Sequence, residues 1–340
     1  MPRLFRLSLL ALTLLAGLAA APCRAASLAA TPFYTVNQSP VIQIFGLPAP
    51  ESATVQAPGK LWGLAAFDIA SNYALDSNRR ERILLDGESY RTTLTLRYGV
   101  APGLEAGLDL PLVGYSGGIL DGLIEGWHNF FHLPQGGRPD APRDRLLFSY
   151  QKDNQELLHR DSDSYGLGDL RLSGAWQLYR GGNTHQRALA LRASLKLPTG
   201  SSSRLHGSGS TDFALWLTGC DDYQFSDSQM HLALFGAAGA LALTDGRVLE
   251  HQQKNLVGFG TVGLGWAPTD WIAFKTQLAL NTPFYGNSDL RELGQSAVQL
   301  IFGGALGFSA RTALDIGVSE DVSVNTSPDL AVHLGLSHQF

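Results

Sequence analysis

Residues whose types and spacing could do chemistry fall in a few short stretches. In DGLIEGWHNFFHLPQGGR, from Asp121 to Arg138, helical spacing puts Leu123, Ile124, Trp127, Phe130 and Phe131 on one side. Asp121, Glu125, His128, Asn129 and His132 fall on the other. Glu125, His128 and His132 stand three and four residues apart, which would offer an oxygen and two imidazoles to one metal ion. Gly122 and Gly126 weaken that helix, and a polar helix face is ordinarily solvated, so no metal is expected. Ser173, Ser194 and His231 have the residue types of an acyl hydrolase. Spacing identifies no carboxylate or amide to complete that set, and nucleophile and base must lie within hydrogen-bond reach. TGSSSRLHGSGST (199–211) has the composition of a phosphate-cradling loop but neither its lysine nor its following helix. No cofactor is indicated and no enzymatic activity is expected.

The remaining charged residues of interest sit singly within apolar runs. Asp68, Glu105, Asp109, Asp169, Asp212 and Asp315 are matched in number by Arg91, Arg97, Arg171, Arg192, Lys196 and Lys275. Such a balance does not make a strongly anion- or cation-selective surface, although Asp169 and Arg171 beside Arg192 and Lys196 would be locally basic. These residues either line a pore or interlock as ion pairs that fill a closed interior.

Strands must position them. In YRTTLTLRYGV, Tyr90, Thr92, Leu94, Leu96 and Tyr98 alternate with Arg91, Thr93, Thr95 and Arg97. LEAGLDLPL, DLRLSGAWQLY, LALRASLKLP and IAFKTQLAL repeat the pattern over about ten residues each, the length and period of transmembrane β-strands. A soluble sandwich also alternates. Here, however, charges occupy mid-strand positions on the polar side while the other side is almost free of polar atoms. Trp62, Tyr98, Tyr115, Trp176, Tyr179, Trp266, Trp271 and Phe308 gather near strand ends, as interfacial belts do.

The compartment agrees. Arg3 and Arg6 precede a short apolar run, and CRA offers cleavage after Ala25, so residues 1–25 are expected to be a signal peptide. The run is shorter than the roughly 20 residues a spanning helix needs, and Pro22 suits lipid attachment at Cys23 poorly. Losing three arginines and no acid takes the net charge from −5 to −8, which disfavours a nucleic-acid partner. Cys220 is then the only cysteine, so no internal disulfide is available. The 38 glycines and 16% charged residues, without a second long apolar run, fit a closed barrel in lipid.

Residues 26–58 are expected to be an N-terminal periplasmic or lumenal segment, since Pro40 and Pro48 suit it poorly to a central strand. Residues 59–340 are expected to be an outer-membrane β-barrel. Short turns alternate with long loops at about 71–88, 116–165, 199–210, 244–254 and 282–295, which predicts about twelve strands with both termini periplasmic. The number rises to about fourteen if VIQIF (41–45) and RLLFSYQKD (145–153) also span.

Four stretches carry a resemblance: VNQSPVIQIFGLP, LDGLIEGWHNFFHLPQGGR, GLGDLRLSGAWQL and NTPFYGNSDLRELG. Together they resemble an uncharacterised family of proteobacterial outer-membrane barrels, a domain of unknown function. GLGDLRL and LKLPTGSS are also similar to barrels associated with aromatic-degradation pathways, such as the phenol meta-pathway, which are thought to be channels. The C-terminal AVHLGLSHQF, with Phe340, Leu336 and Leu334, resembles the signature by which such barrels are recognised for assembly, His338 departing from it. The resemblance implies outer-membrane lipid, periplasmic chaperones and the barrel-assembly machinery as partners. The expected fold is thus an all-β transmembrane antiparallel barrel with a short amphipathic helix in a long extracellular loop. The expected function is passive passage of an unknown small solute, gated by a constriction of Leu123, Glu125, Trp127, His128, Phe131 and His132. A lipid-modifying hydrolase and a closed structural barrel are the alternatives.

Overall fold

The computed structural model describes residues 28, 30–118, 120, 122, 142–182, 185–225, 230–322 and 326–340. Among these residues fifteen strands form one antiparallel sheet: β1 (Leu61–Ser77), β2 (Glu81–Ala101), β3 (Leu104–Ser116), β4 (Leu147–Lys152), β5 (Gln155–Arg160), β6 (Ser164–Leu167), β7 (Arg171–Gly181) and β8 (His185–Lys196) come first. β9 (Asp212–Gln224), β10 (His231–Leu243), β11 (Leu256–Thr269), β12 (Ile272–Asn281), β13 (Ala297–Ser309), β14 (Thr312–Asp321) and β15 (Leu330–Gln339) follow. β1, β2, β3 and β7–β15 close into a ring of twelve, the last strand returning to the first from Trp62↔Gln339 to Ser71↔Leu330. The amide of Phe340 adds one more rung to the carbonyl of Leu61. Closure leaves the ring without an edge, so every ladder group within lipid has a partner.

Alternation produces the two faces. Along β9, Phe213, Leu215 and Leu217 are exposed on the outside, while Ala214, Trp216 and Thr218 are buried within. On β7 and β8 the outward Leu172, Trp176, Leu178, Leu189 and Leu195 oppose the inward Arg171, Ala175, Ala190, Arg192 and Lys196. Tight turns and both ends of the ring's chain lie at one rim, the turn end. The turn between β2 and β3 needs Gly103, whose φ of +75° suits a residue without Cβ. Longer connections lie at the other rim, the loop end.

The structure corrects several expectations. The ring has the expected twelve strands; the alternative of fourteen fails because neither candidate extra segment spans. RLLFSYQKD contributes β4, which pairs with the outer extension of β2 from Glu81↔Lys152 to Asp86↔Leu147 and lies outside the ring. VIQIF is a turn-rich segment buried inside the barrel, where the flanking Pro40 and Pro48 suit it poorly to a ladder. The expected 71–88 loop is mostly strand, since β1 runs on to Ser77 and β2 starts at Glu81. Tyr115 is not part of an interfacial belt; it is 2% exposed, faces inward, and donates to the carbonyl of Leu205 at 2.7 Å. Apart from Gly122, the amphipathic stretch 121–138, with Leu123, Glu125, Trp127, His128, Phe131 and His132, lies outside the described residues, as does the 1–25 segment.

The main apolar cluster sits at the loop end. Val41, Ile42, Ile44 and Phe45 pack there against Ile83, Phe148, Trp216, Leu241, Val257, Phe284 and Tyr285. Phe45 stacks on Phe284 with centroids 4.9 Å apart.

Candidate functional site: the threaded lumen

The lumen is occupied by the chain's own residues 30–58. The segment enters at the turn end, where Leu28 donates to Asp270, and rises past β12, where the amide of Phe33 donates to Gln277 at 3.0 Å. It reaches the loop end at Asn37, which donates to the carbonyl of Thr326, and turns over through residues 40–45. It then descends along β8, β7, β3 and β2 to the isolated bridge Pro58↔Gly99, from which β1 starts. Five prolines, Pro32, Pro40, Pro48, Pro50 and Pro58, keep this plug from adding a strand to the wall. Its buried backbone therefore needs other partners.

The inward charged residues supply them. Arg91 donates to the carbonyl of Gln43 at 3.0 Å, Arg171 to that of Leu47 at 3.0 Å, and Arg192 to that of Ser52 at 2.7 Å. Lys196 reaches the carbonyl of Ile44 at 3.4 Å while pairing with Asp169 at 2.6 Å and Asp212 at 3.2 Å. Acids receive the plug's amides: Gly46 donates to Asp212 at 2.7 Å and Gln56 to Glu105 at 2.8 Å. Gln177 serves both ways, accepting from the amide of Val55 and donating to the carbonyl of Ala53.

At the centre lies a compact ionic cluster. Glu51 of the plug takes two bonds from Arg97, at 2.8 and 3.0 Å, and a third from Arg192 at 3.1 Å. Asp109 bridges Arg97 and Arg171, each at 2.7 Å, and Glu105 pairs with Arg192 at 2.9 Å. The hydroxyl of Tyr34, on the rising limb, accepts from Arg97 at 3.0 Å. Arg97 is 2% exposed, so these charge-assisted bonds are formed out of water, where a bidentate arginine–carboxylate pair is at its strongest. On the far wall Lys275 pairs with Asp315 at 2.8 Å and lies over the ring of Phe33, and Asp68 bonds Thr35 and His333.

All twelve charged candidates thus face the lumen or its loop-end mouth, Asp169 from the connection just before β7, and the structure gathers most of them around the plug. Sequence reasoning missed Glu51. The available signal was composition: between Ala26 and Pro58 it is the only charged residue. The hydrolase candidates are kept apart. Register sets Ser173 opposite Ser194, and Ser194 opposite Ala214 of β9. His231, bonded to Asp222 at 3.2 Å, lies opposite Gln224 of β9, ten residues further along that strand, or some 33 Å at about 3.3 Å per residue.

At the loop end His206 is buried, stacking near Tyr115 and bonding Ser164 at 3.2 Å. Burial, with Arg204 and Arg160 nearby, pushes its imidazole down to about 4. Tyr285 donates to the carbonyl of Val41 at 2.7 Å, and burial raises its phenol well above the usual range.

A family model described as a protein of unknown function (DUF3187) matches residues 8–340. No curated protein matches. Among solved structures, the COG4313 outer membrane channel from Pseudomonas putida F1 is similar at a TM-score of 0.54 and 14% identity, over 86% of this chain and 99% of that one. The CymD monoaromatic hydrocarbon channel aligns at a TM-score of 0.35 and 12% identity, over 92% of this chain and 94% of that one. The Ralstonia pickettii toluene transporter TbuX aligns at 0.32 and 10% identity, over 84% and 90%. The first likeness is one of fold, that of Gram-negative outer-membrane barrels, and the other two are too loose to bear on the argument.

Proposed function

The chain belongs to DUF3187, a family of unknown function, and from its threaded lumen we propose that it is a passive outer-membrane channel for a small solute, closed at rest by its own residues 30–58. The observation that carries this reading is the manner of the plug's attachment. Small barrels that serve only as structure fill their interiors with wall side chains. Here much of the wall contributes small inward residues, among them Ala233, Ala237, Gly263 and Gly265, and a separate segment takes the space. That segment meets the wall through side chains and one isolated bridge, with no strand ladder to unzip. It can therefore shift while the ring stays whole.

In this reading residues 1–25 are a cleaved signal peptide and the turn end faces the periplasm, with Phe340, Leu336 and Leu334 presented to the assembly machinery. The stretch 121–138 would add a second restriction at the loop mouth, Leu123, Trp127 and Phe131 packing inward and Glu125, His128 and His132 facing the solute.

Single-channel recording in planar bilayers tests the proposal with three proteins: the mature chain, a form lacking residues 30–57, and a form lacking residues 116–138. Brief, rare openings of the mature chain and steady, larger steps without the plug are expected. Silence of all three, with folding established by heat-modifiable migration in SDS gels, would leave a filled structural barrel.

A further inference from the structure

The two limbs of the plug do not touch the wall evenly. The rising limb bonds to β12 and β1 and packs on β14 and β15. The descending limb bonds to β2, β3, β7 and β8. Among the described residues, none of the plug's hydrogen bonds reaches β10 or β11. The single bond to β9 is made by Asp212 at its loop end.

This seam, which meets the plug only by apolar packing (Ala30 at its turn end and the tip against Trp216, Leu241 and Val257 at its loop end), differs chemically from the rest of the lumen. Between Asp212 and Asp222 the inward positions of β9 are Ala214, Trp216, Thr218 and Cys220, all uncharged. β10 carries one titratable residue, His231, and β11 carries none. A Cβ on Gly263 would lie 2.3 Å from the ring of Phe235, so the glycine lets that ring lie flat against the wall instead of standing into the lumen.

At the turn end of the seam the gap between the limbs opens into a cavity of about 370 Å³. Its apolar side is made by Pro32, Ala53, Ala188, Ala233 and Phe235, and its polar side by Thr31, Ser52, Thr54 and Gln186. Three charged residues also line it, two of them already engaged: Arg187 pairs with Asp221 at 2.9 Å, Asp222 with His231 at 3.2 Å, and Arg180 is exposed. The volume is within the range of small-molecule sites, about 300–1,000 Å³, and the mixture of apolar wall and few hydroxyl or amide groups is typical of them.

We infer that this cavity is a binding site for a small, neutral, partly apolar molecule carrying a single hydrogen-bonding group, and that the uncharged β9–β11 seam above it is that molecule's route past the plug. This takes the channel proposed above as its setting. A charged solute entering the seam would find no counter-charge between Asp212 and Asp222 and would pay the cost of burying an unpaired ion. A neutral one would meet Phe235 and alanine methyls, with Thr31, Thr54 or Gln186 for its polar group.

Three probes of one size separate the charge classes: cyclohexanol, cyclohexanecarboxylate and cyclohexylammonium. Their binding to the full mature chain in detergent is measured calorimetrically, beside Ala233→Trp, which fills the cavity from the wall. Thr54→Trp fills it from the plug and leaves the wall intact should the first variant fold poorly. Arg180→Gln tests the border charge. Saturable binding of cyclohexanol, weakened at least about tenfold by either tryptophan and unchanged by Arg180→Gln, is the expected result. Tighter binding of the carboxylate, lost in Arg180→Gln, would overturn the neutral assignment, and saturable binding of none of the three would overturn the site. Equilibrium binding needs no conduction, so liposome uptake of cyclohexanol is measured separately. Binding without uptake keeps the site and removes the channel; uptake without binding does the reverse.

Discussion

Glu51 holds the centre of the plug through three bonds to two arginines, and each arginine keeps a second acid on the wall: Asp109 for Arg97, Glu105 for Arg192. Removing one member of a buried ion pair typically costs about 3–5 kcal/mol. Because both arginines stay partnered, Glu51→Gln should fall at the low end, about 3 kcal/mol, all of it lost from plug docking. The expected result is more frequent and longer openings in planar bilayers with an unchanged ring; an open probability equal to that of the native chain would refute a latch at Glu51. His206 sets a pH dependence at the other end. Its imidazole is held at about 4 by burial, then by Arg204 and Arg160, against an ordinary value of about 6.5. Between those values the unfolded chain binds the proton and the folded one does not, so stability is complete above about 6.5 and falls as pH drops toward 4. Hydrogen exchange at residues 200–208 should therefore speed up from pH 7 to pH 4.5 in the native chain and stay flatter in His206→Gln. Of these residues the strand charges were legible from alternation. Glu51 was not, because an acid among prolines and small residues has no periodicity, and its partners lie 46 and 141 positions away in sequence.

At the scale of elements the plug has two halves with different physics. Its descending limb is held by ion pairs and carbonyl contacts, its tip by apolar burial among Ile83, Trp216, Leu241, Phe284 and Tyr285. The tip should then act as the fixed point and the limbs as the moving part. Phe45→Ala tests this, since truncating a buried phenylalanine costs about 3–5 kcal/mol. The loss should be local: faster trypsin cleavage at Arg247 and Lys254 in the loop between β10 and β11, with strand protection unchanged. Equal loss of protection in the strands would mean that tip and ring fold as one unit. Period-two alternation made the ring strands readable from sequence, because lipid on one side forces a nearly pure apolar face. It could not tell whether the inner side meets water or a plug, since either accepts polar residues; hence VIQIF stood as a possible strand. Tyr115 was misplaced for a related reason, its strand-end position being the same for a belt residue and for one turned inward beneath the loops. β4 stood as a possible spanning strand because a strand outside lipid alternates like one within it.

The whole molecule is a ring with lipid outside and a folded segment inside, and the two faces should respond oppositely to charge. Inside, Arg171 and Arg192 are accommodated because each finds an acid of β3 and a carbonyl of the plug. Outside, Leu217 stands near the middle of β9, 45% exposed, flanked across the ladder by Leu191 of β8 and Ala238 of β10. An arginine at Leu217 would have only hydrocarbon around its guanidinium, and at the bilayer midplane of a barrel such a change costs about 2–4 kcal/mol. Nothing in the strand ladder is altered by the substitution, so the penalty comes from the solvent and not from packing. Urea titration of folding into phosphatidylcholine vesicles should show Leu217→Arg less stable than the native chain by that amount, and the difference should shrink in detergent micelles, where the side chain reaches water. A substitution near the rim, Leu256→Arg, should cost less, since the penalty falls to about 0–1 kcal/mol at the interface. Equal stabilities of the native and Leu217→Arg chains in vesicles would show that this face is not immersed in lipid, and the outer-membrane setting of both the plug and the seam would fall with it.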